Sequence, residues 1–339
     1  MARKKPLREQ VIVVTGASSG LGRAVARLAG RRGAKVVVTA RNSEALDACV
    51  REIEAFGSEA LAVAADCTVQ DEVAQVVEQA VHRFGRIDTY VANAIVTVYA
   101  ETYRYEPDEL RRIMDVNFFG QVYGYWAVLP HLRESQGTFV SIQSALAYRG
   151  IPLQGGYCAS KAALRNFFES ARVELLKAGW GVDISVVHPA AINTPQFDRD
   201  RQKLGKQPQP VPPIYQPEPF ADAVLHCCEH PIRELPVGWG AQKLMWGQKL
   251  SPRAGDLMLL RMGWKSQHTD EDKPLDSPDN LFRTLPGDPG AHGRFDAQSR
   301  ASTLWTSLRL RRWLVGAAVV GAAALAGSAE RGRKTGLLR

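Results

Sequence analysis

Tyr157 and Lys161 stand four residues apart in Tyr157-Cys158-Ala159-Ser160-Lys161, at the start of a helical pattern. That spacing puts both side chains on one helix face. A free phenol titrates at about 10, too high for easy proton exchange at neutral pH. An ammonium beside it stabilises the phenolate and lowers that value. So placed, Tyr157 would give a proton to a carbonyl oxygen as hydride arrives at carbon, or take the proton of a hydroxyl in the reverse direction. Ser144 follows the apolar run Thr138–Ile142 and can hydrogen-bond the same oxygen. Tyr-x-x-x-Lys alone also describes an ordinary helix surface, so its weight rests on what surrounds it.

A hydride needs a carrier, and the sequence holds a place for one. Thr15-Gly16-Ala17-Ser18-Ser19-Gly20-Leu21-Gly22 follows an apolar run and opens a helical pattern. Gly16 permits a tight turn, Gly20 lets backbone approach a pyrophosphate, and Gly22 lets helix and strand pack closely. The helix N-terminus then offers free N–H groups and a positive dipole end to the phosphates. The glycines alone would also suit a turn without a ligand; the strand before and the helix after supply the required context. The next apolar run, Val36–Ala40, ends at Arg41, where an acidic residue would hold the ribose 2′-hydroxyl of NAD. A guanidinium there suits the 2′-phosphate of NADP, so NADP(H) is expected over NAD(H); the other reading is a solvated surface arginine.

These residues must be positioned by a regular scaffold. Val11–Thr15, Lys35–Ala40, Leu61–Ala65, Ile87–Ala92, Thr138–Ile142 and Asp183–Val187 read as strands buried on both faces. Helical patterns lie between them near 20–32, 43–56, 70–84, 107–134 and 156–178. The alternation predicts an α/β fold: a Rossmann-type, doubly wound parallel sheet in a single domain, with a C-terminal extension. Residues 218–230 look helical again, and Leu235–Val237 reads as a last edge strand. Prolines 208, 210, 212, 213, 217 and 219 forbid regular helix or central strand. They predict an extended flap near the site or an inert surface loop. The chain divides into a basic arm (1–10), a NAD(P)-binding oxidoreductase domain (11–264), a polar, loosely ordered linker (265–308) and a basic tail with an apolar helix (309–339).

With these motifs assembled, the chain resembles the short-chain dehydrogenase/reductase family from about residue 8 to 240. The resemblance implies a cofactor loop at Thr15–Gly22, with Ser18, Ser19 and Leu21 among its contacts. It implies that Asp66, with Cys67 beside it, meets the adenine ring. Asn93, in Ala92-Asn93-Ala94, falls on the motif after the fourth strand. Asn117 matches the asparagine that supports a water-mediated proton relay. Ser144, thirteen residues before Tyr157, completes a catalytic tetrad with Asn117, Tyr157 and Lys161, and Lys161 is implied to hydrogen-bond the nicotinamide ribose. Pro189, Ile192 and Thr194 match the segment after the sixth strand, whose threonine contacts the carboxamide. Two glycines usual in the family are replaced, by Ile95 and by Ala190. Both put a bulkier residue near the cofactor and bear on pocket shape more than on the reaction. A catalytically silent dinucleotide-binding regulator is the alternative; such proteins tend to lose the tyrosine or lysine kept here.

Composition bounds the rest. Among 339 residues, 45% are hydrophobic and 23% charged, which excludes a mainly disordered chain. The net charge of +8 resides in the two ends: residues 1–10 carry +3 and residues 309–339 carry +6, leaving the body near −1. A nucleic-acid-binding face on the body is not expected. The five cysteines have no C-x-x-C spacing and read as reduced thiols of a cytoplasmic protein. His226 and His230 share a helix face but make an incomplete ligand set, so no metal is expected. Residues 313–329 carry no charge and are flanked by arginines; they read as a membrane anchor or interfacial helix, or as a helix packed on the protein. Tyr99, Tyr103, Tyr105, Tyr148, Trp239 and Trp246 are candidate pocket aromatics. Apolar content near the pocket favours a lipophilic carbonyl or alcohol, such as a steroid, retinoid or fatty-acyl derivative. Homo-oligomerisation is expected through the helices near 117–134 and 156–178.

Overall fold

The computed structural model describes residues 4–303 and, beyond them, residues 306, 307 and 310. Seven strands form one parallel sheet. They are β1 (Val11–Thr15), β2 (Lys35–Ala40), β3 (Ala60–Ala64), β4 (Thr89–Ala92), β5 (Thr138–Ile142), β6 (Asp183–Pro189) and β7 (Glu234–Val237). Their order is β7-β6-β5-β4-β1-β2-β3, so the chain winds one way from β1 to β3, then crosses back to place β4 beside β1. That reversal opens a crevice beyond the carboxyl ends of β1 and β4.

Alternation along the strands builds two cores. Ile12, Val14, Val36 and Val38 face α1 (Gly20–Arg31), α2 (Ser43–Glu54) and α7 (Glu218–Glu229). Val13, Val37, Tyr90 and Phe139 face α3 (Gln70–Phe84), α5 (Gly120–Ser135) and α6 (Gly155–Ala178). Neighbouring strands pair with Val13 opposite Val37, so like faces line up across the sheet. Each fully buried valine or isoleucine contributes about 1.5–3 kcal/mol, which is why valine dominates β1 and β2.

The helix expected over 107–134 is interrupted. α4 (Pro107–Met114) passes through a π-helical turn at Asp115–Phe119 before α5 begins. The wider turn admits one extra residue, a distortion that sequence periodicity does not display and that often accompanies functional sites. After β7, α8 (Trp239–Leu250) and α9 (Pro252–Met262) form a pair that was not expected.

Residues 265–303 do not behave as a loose linker. His268–Asp272 pairs antiparallel with Lys206–Pro208, and Ser299–Arg300 pairs with Ile214–Tyr215. The proline-rich segment is thereby fixed by strands at both ends. A few apolar anchors hold the extension: Leu281, Ala291 and Phe295 are all buried. Side chains of the body, Arg41, Asn42, Arg112 and Arg199 among them, satisfy its carbonyls. Those partners lie far away in sequence, so composition alone read the segment as unstructured. The basic arm is likewise tied down at Lys4, whose Nζ meets Asp183 at 2.9 Å and two backbone carbonyls. Among the described residues no helix is long and apolar enough to cross a membrane; residues 313–329 lie outside them.

Candidate active site

The crevice holds a cavity of about 530 Å³. Of the residues singled out in the sequence, Thr15, Gly16, Ser18, Ser19, Gly20, Leu21, Arg41, Asp66, Cys67, Asn93, Ser144, Tyr157, Lys161, Pro189, Ile192 and Thr194 all line it. Gly22 and Asn117 stand behind its wall.

The loop Thr15–Gly22 is shaped by contacts that tolerate no side chain at Gly16 or Gly22. Gly16 has φ +64°, and a Cβ there would come within 2.9 Å of the Ala94 backbone. A Cβ on Gly22 would lie 2.3 Å from the Gly16 carbonyl oxygen. Asn93 locks the loop to β4: its backbone N–H donates to Thr15 Oγ1 at 2.9 Å, and Nδ2 donates to the Thr15 carbonyl at 3.1 Å.

Tyr157 opens α6 and hydrogen-bonds the Ser144 hydroxyl. The acidification of Tyr157 expected from Lys161 does not appear. Burial raises the phenol above its ordinary value, and the bond with Ser144 offsets this only in part. Lys161 Nζ lies 5.6 Å from the centre of the Tyr157 ring and donates to the Ile142 carbonyl at 2.9 Å. Lys161 is itself fully buried, and burial pulls its pKa down to about 7. A group charged only part of the time at neutral pH exerts a weaker pull on its neighbour. The phenol is therefore held protonated.

Asn117 sits fully buried in the π-helical turn. Its Oδ1 accepts from Val96 N at 2.8 Å, while Nδ2 donates to the Val96 carbonyl and to Ser160 Oγ, each at 3.0 Å. The amide is thus committed to holding the β4 loop against α6 and makes no direct bond to Lys161.

Behind Ser144, His188 is fully buried, and its Nδ1 bonds the Ser144 carbonyl at 2.9 Å. Burial lowers its pKa to about 4, so the ring is neutral at pH 7.

At the other end of the cavity, Arg41 Nη2 donates to the Asn280 carbonyl at 2.6 Å, while the buried Nη1 has no partner. Burial lowers the Arg41 pKa, and repulsion from Arg112 adds to this. Asp66 accepts from Arg112 at 2.7 Å and from Thr68. Burial opposes its ionisation, but those bonds win and hold the carboxylate below its usual range. Cys67 is half-buried, and loss of solvation pushes its thiol up to about 12, which leaves little reactive thiolate at neutral pH.

Of the candidate aromatics only Tyr99 reaches the cavity. Tyr103 is exposed, Tyr105 donates to the Val98 carbonyl, and Tyr148 bonds Glu234. The apolar wall comes instead from Leu244, Met258, Leu259 and Met262 on α8 and α9, with Val211 from the proline-rich segment. The signal missed was the leucine- and methionine-rich stretch before residue 263, which has no strong periodicity.

A model of the short chain dehydrogenase family matches residues 10–205. The uncharacterized oxidoreductase YxnA of Bacillus subtilis is 38% identical over 269 residues, spanning 78% of this chain and 76% of its own. The chain belongs to the short-chain dehydrogenase family. It is an NAD(P)-dependent dehydrogenase/reductase. An 11-beta-hydroxysteroid dehydrogenase-like protein of Arabidopsis thaliana is 36% identical over 197 residues, covering 56% of this dehydrogenase and 62% of the relative. Two solved structures superpose on it. An alcohol dehydrogenase of Thermococcus sibiricus complexed with 5-hydroxy-NADP matches with TM-score 0.60 and 26% identity, over 67% of this chain and 95% of its own. A metagenomic short-chain oxidoreductase in complex with NADP matches with TM-score 0.57 and 30% identity, over 67% and 96%. The departure at Ala190 has a local compensation. Gly238, with φ +87°, leaves the space for the Ala190 methyl, which a second Cβ would meet at 2.9 Å.

Proposed function

We propose that this dehydrogenase uses NADP(H) to reduce lipophilic ketones or aldehydes, with Tyr157 as the proton donor. The reading rests above all on a half-buried phenol, held protonated and bonded to Ser144, in the same cavity as the glycine loop and the free Nη1 of Arg41. An unpaired buried guanidinium N–H is costly unless an anion takes it, and a 2′-phosphate has the charge and the geometry. The NADP complexes of both solved relatives agree with this choice. Thr15–Leu21 would hold the pyrophosphate, Asp66 the adenine end, and Ile192 with Thr194 the nicotinamide end. When bound, the cofactor supplies the hydride.

The chain's own groups do the proton chemistry. A phenol kept protonated by burial is an acid suited to an alkoxide forming at the substrate oxygen. Ser144 orients that oxygen, and Lys161, titrating near neutrality, replaces the proton Tyr157 gives up. Leu244, Met258 and Met262 give the cavity an apolar wall and favour an apolar body on the substrate. Exposed Phe119, Trp126, Val173 and Leu176 on the π-turn, α5 and α6 support pairing with a second copy. The test is turnover of a panel of short and long ketones, aldehydes and alcohols with NADPH and NADH. The expected result is NADPH oxidation with KM falling as the carbonyl compound becomes more apolar. Binding of NADPH without turnover of any carbonyl or alcohol would instead favour the silent regulator.

A further inference from the structure

Residues 279–296 run along the open side of the crevice. At one end Arg112, which pairs with Asp66, donates to the Leu281 carbonyl at 3.0 Å, and Arg41 takes the Asn280 carbonyl. In the middle, Asn42 Nδ2 donates to the Leu285 and Gly287 carbonyls, and Gly20 N–H, the first amide of α1, donates to the Gly290 carbonyl at 3.0 Å. Asp288 pairs with Arg23, a buried arginine one turn into α1 that also holds Glu52. At the far end Asn193 accepts from the Phe295 N–H at 3.1 Å and donates to Asp296 at 2.8 Å, beside Thr194. The segment thus visits, in order, each part of the groove a dinucleotide would fill.

Its attachment is uneven. Leu281 at one end and Ala291 and Phe295 at the other are buried, whereas none of residues 282–290 is. The ends are packed into apolar cores and the middle is held by polar contacts alone, which are the first to open. The inner surface is unfinished. Asn280 Oδ1 is buried without a partner, as is Arg41 Nη1 beside it, and both residues line the cavity. A neighbouring donor and acceptor left unpaired in a cavity wall call for a ligand carrying both kinds of group. A ribose bearing a hydroxyl and a phosphate is such a ligand. Both solved relatives are matched over nearly their whole length yet over only 67% of this chain, so this chain carries a third of its length beyond what they match.

We propose that residues 279–296 are a strap that closes over the bound dinucleotide, with Asn280 as a further contact to its adenosine ribose. Asp288 on Arg23 is the latch. The inference rests on the NADP(H) reading above. Because the Gly290 carbonyl occupies the first amide of α1, the middle of the strap must lift for a pyrophosphate to enter or leave. Exchange is then limited by the latch.

The experiment uses the full chain loaded with NADPH and chased with excess NADP⁺, following NADPH fluorescence by stopped flow. Asp288→Ala leaves Arg23 paired with Glu52, and Asp288→Asn is the milder variant. Release is expected to quicken at least about tenfold, equal to about 1.4 kcal/mol. NADPH should also slow tryptic cleavage after the exposed Arg283 in the wild type, and less so in Asp288→Ala. Release unchanged in both variants would overturn the strap. So would faster association with unchanged release, which would make the segment a competitor of the cofactor. Failure of every form to bind NADPH would refute the cofactor reading itself.

Discussion

Replacing Arg41 with alanine removes a guanidinium whose Nη2 is tied to the Asn280 carbonyl at 2.6 Å and whose buried Nη1 is unpaired. Losing the Asn280 tether should affect both nicotinamide cofactors alike, because it lies in the protein. Losing Nη1 should affect only the cofactor with a phosphate to meet it. A hydrogen bond to a charged group contributes about 1.5–3 kcal/mol, so NADPH binding should weaken roughly 10- to 150-fold. NADH binding should change by no more than about threefold, the scale of about 0.7 kcal/mol. Fluorescence titration of both cofactors against wild type and Arg41→Ala gives the ratio directly. Arg41→Lys should recover part of the NADPH affinity, because it keeps the charge and loses the fork. The discrimination should shrink as salt is raised. Equal losses for NADPH and NADH would refute the reasoning, since no phosphate would then be reaching Nη1.

Three other outcomes follow from the geometry. Gly22→Ala should abolish NADPH binding and lower stability, because its Cβ would sit 2.3 Å from the Gly16 carbonyl oxygen; thermal unfolding and titration check both. Lys161→Met should inactivate the enzyme yet raise its melting temperature. With a folded pKa of about 7, well below the unfolded value, Lys161 penalises folding fully below pH 7, and the penalty fades as pH rises toward the unfolded value. The melting advantage of the variant should therefore be largest below pH 7 and vanish in alkali. His188, pushed down to about 4, has the matching acid effect: wild type should lose stability as pH falls from about 6.5 to 4, and His188→Gln should lose less, as read by thermal melts across that range.

The sheet was legible because its strands are buried on both faces and read as short apolar runs. Val11–Thr15, Lys35–Ala40 and Thr138–Ile142 appear with the expected bounds. The glycine loop at Thr15–Gly22 was legible because Gly16 and Gly22 are required there for close contacts that local sequence displays. The interrupted helix at Asp115–Phe119 was not, since one extra residue in a turn barely alters a 3.6-residue pattern. The extension at 265–303 was misread for a different reason: its hydrogen-bond partners, such as Arg41 and Arg112, are more than 150 residues away. The relation between Tyr157 and Lys161 was half legible. Spacing placed them together, but depth of burial decides their charges, and the sequence does not display depth.

The measurement that bears most directly on Tyr157 is NADPH-dependent turnover of a carbonyl substrate by Tyr157→Phe, with NADPH affinity measured on the same sample. The phenylalanine keeps the ring against Lys161 and removes only the hydroxyl bonded to Ser144. A positioned proton donor is worth about 10²–10⁴ in rate, so kcat should fall by that factor while NADPH affinity stays within about threefold. Turnover that persists near the wild-type rate would show that the proton comes from elsewhere.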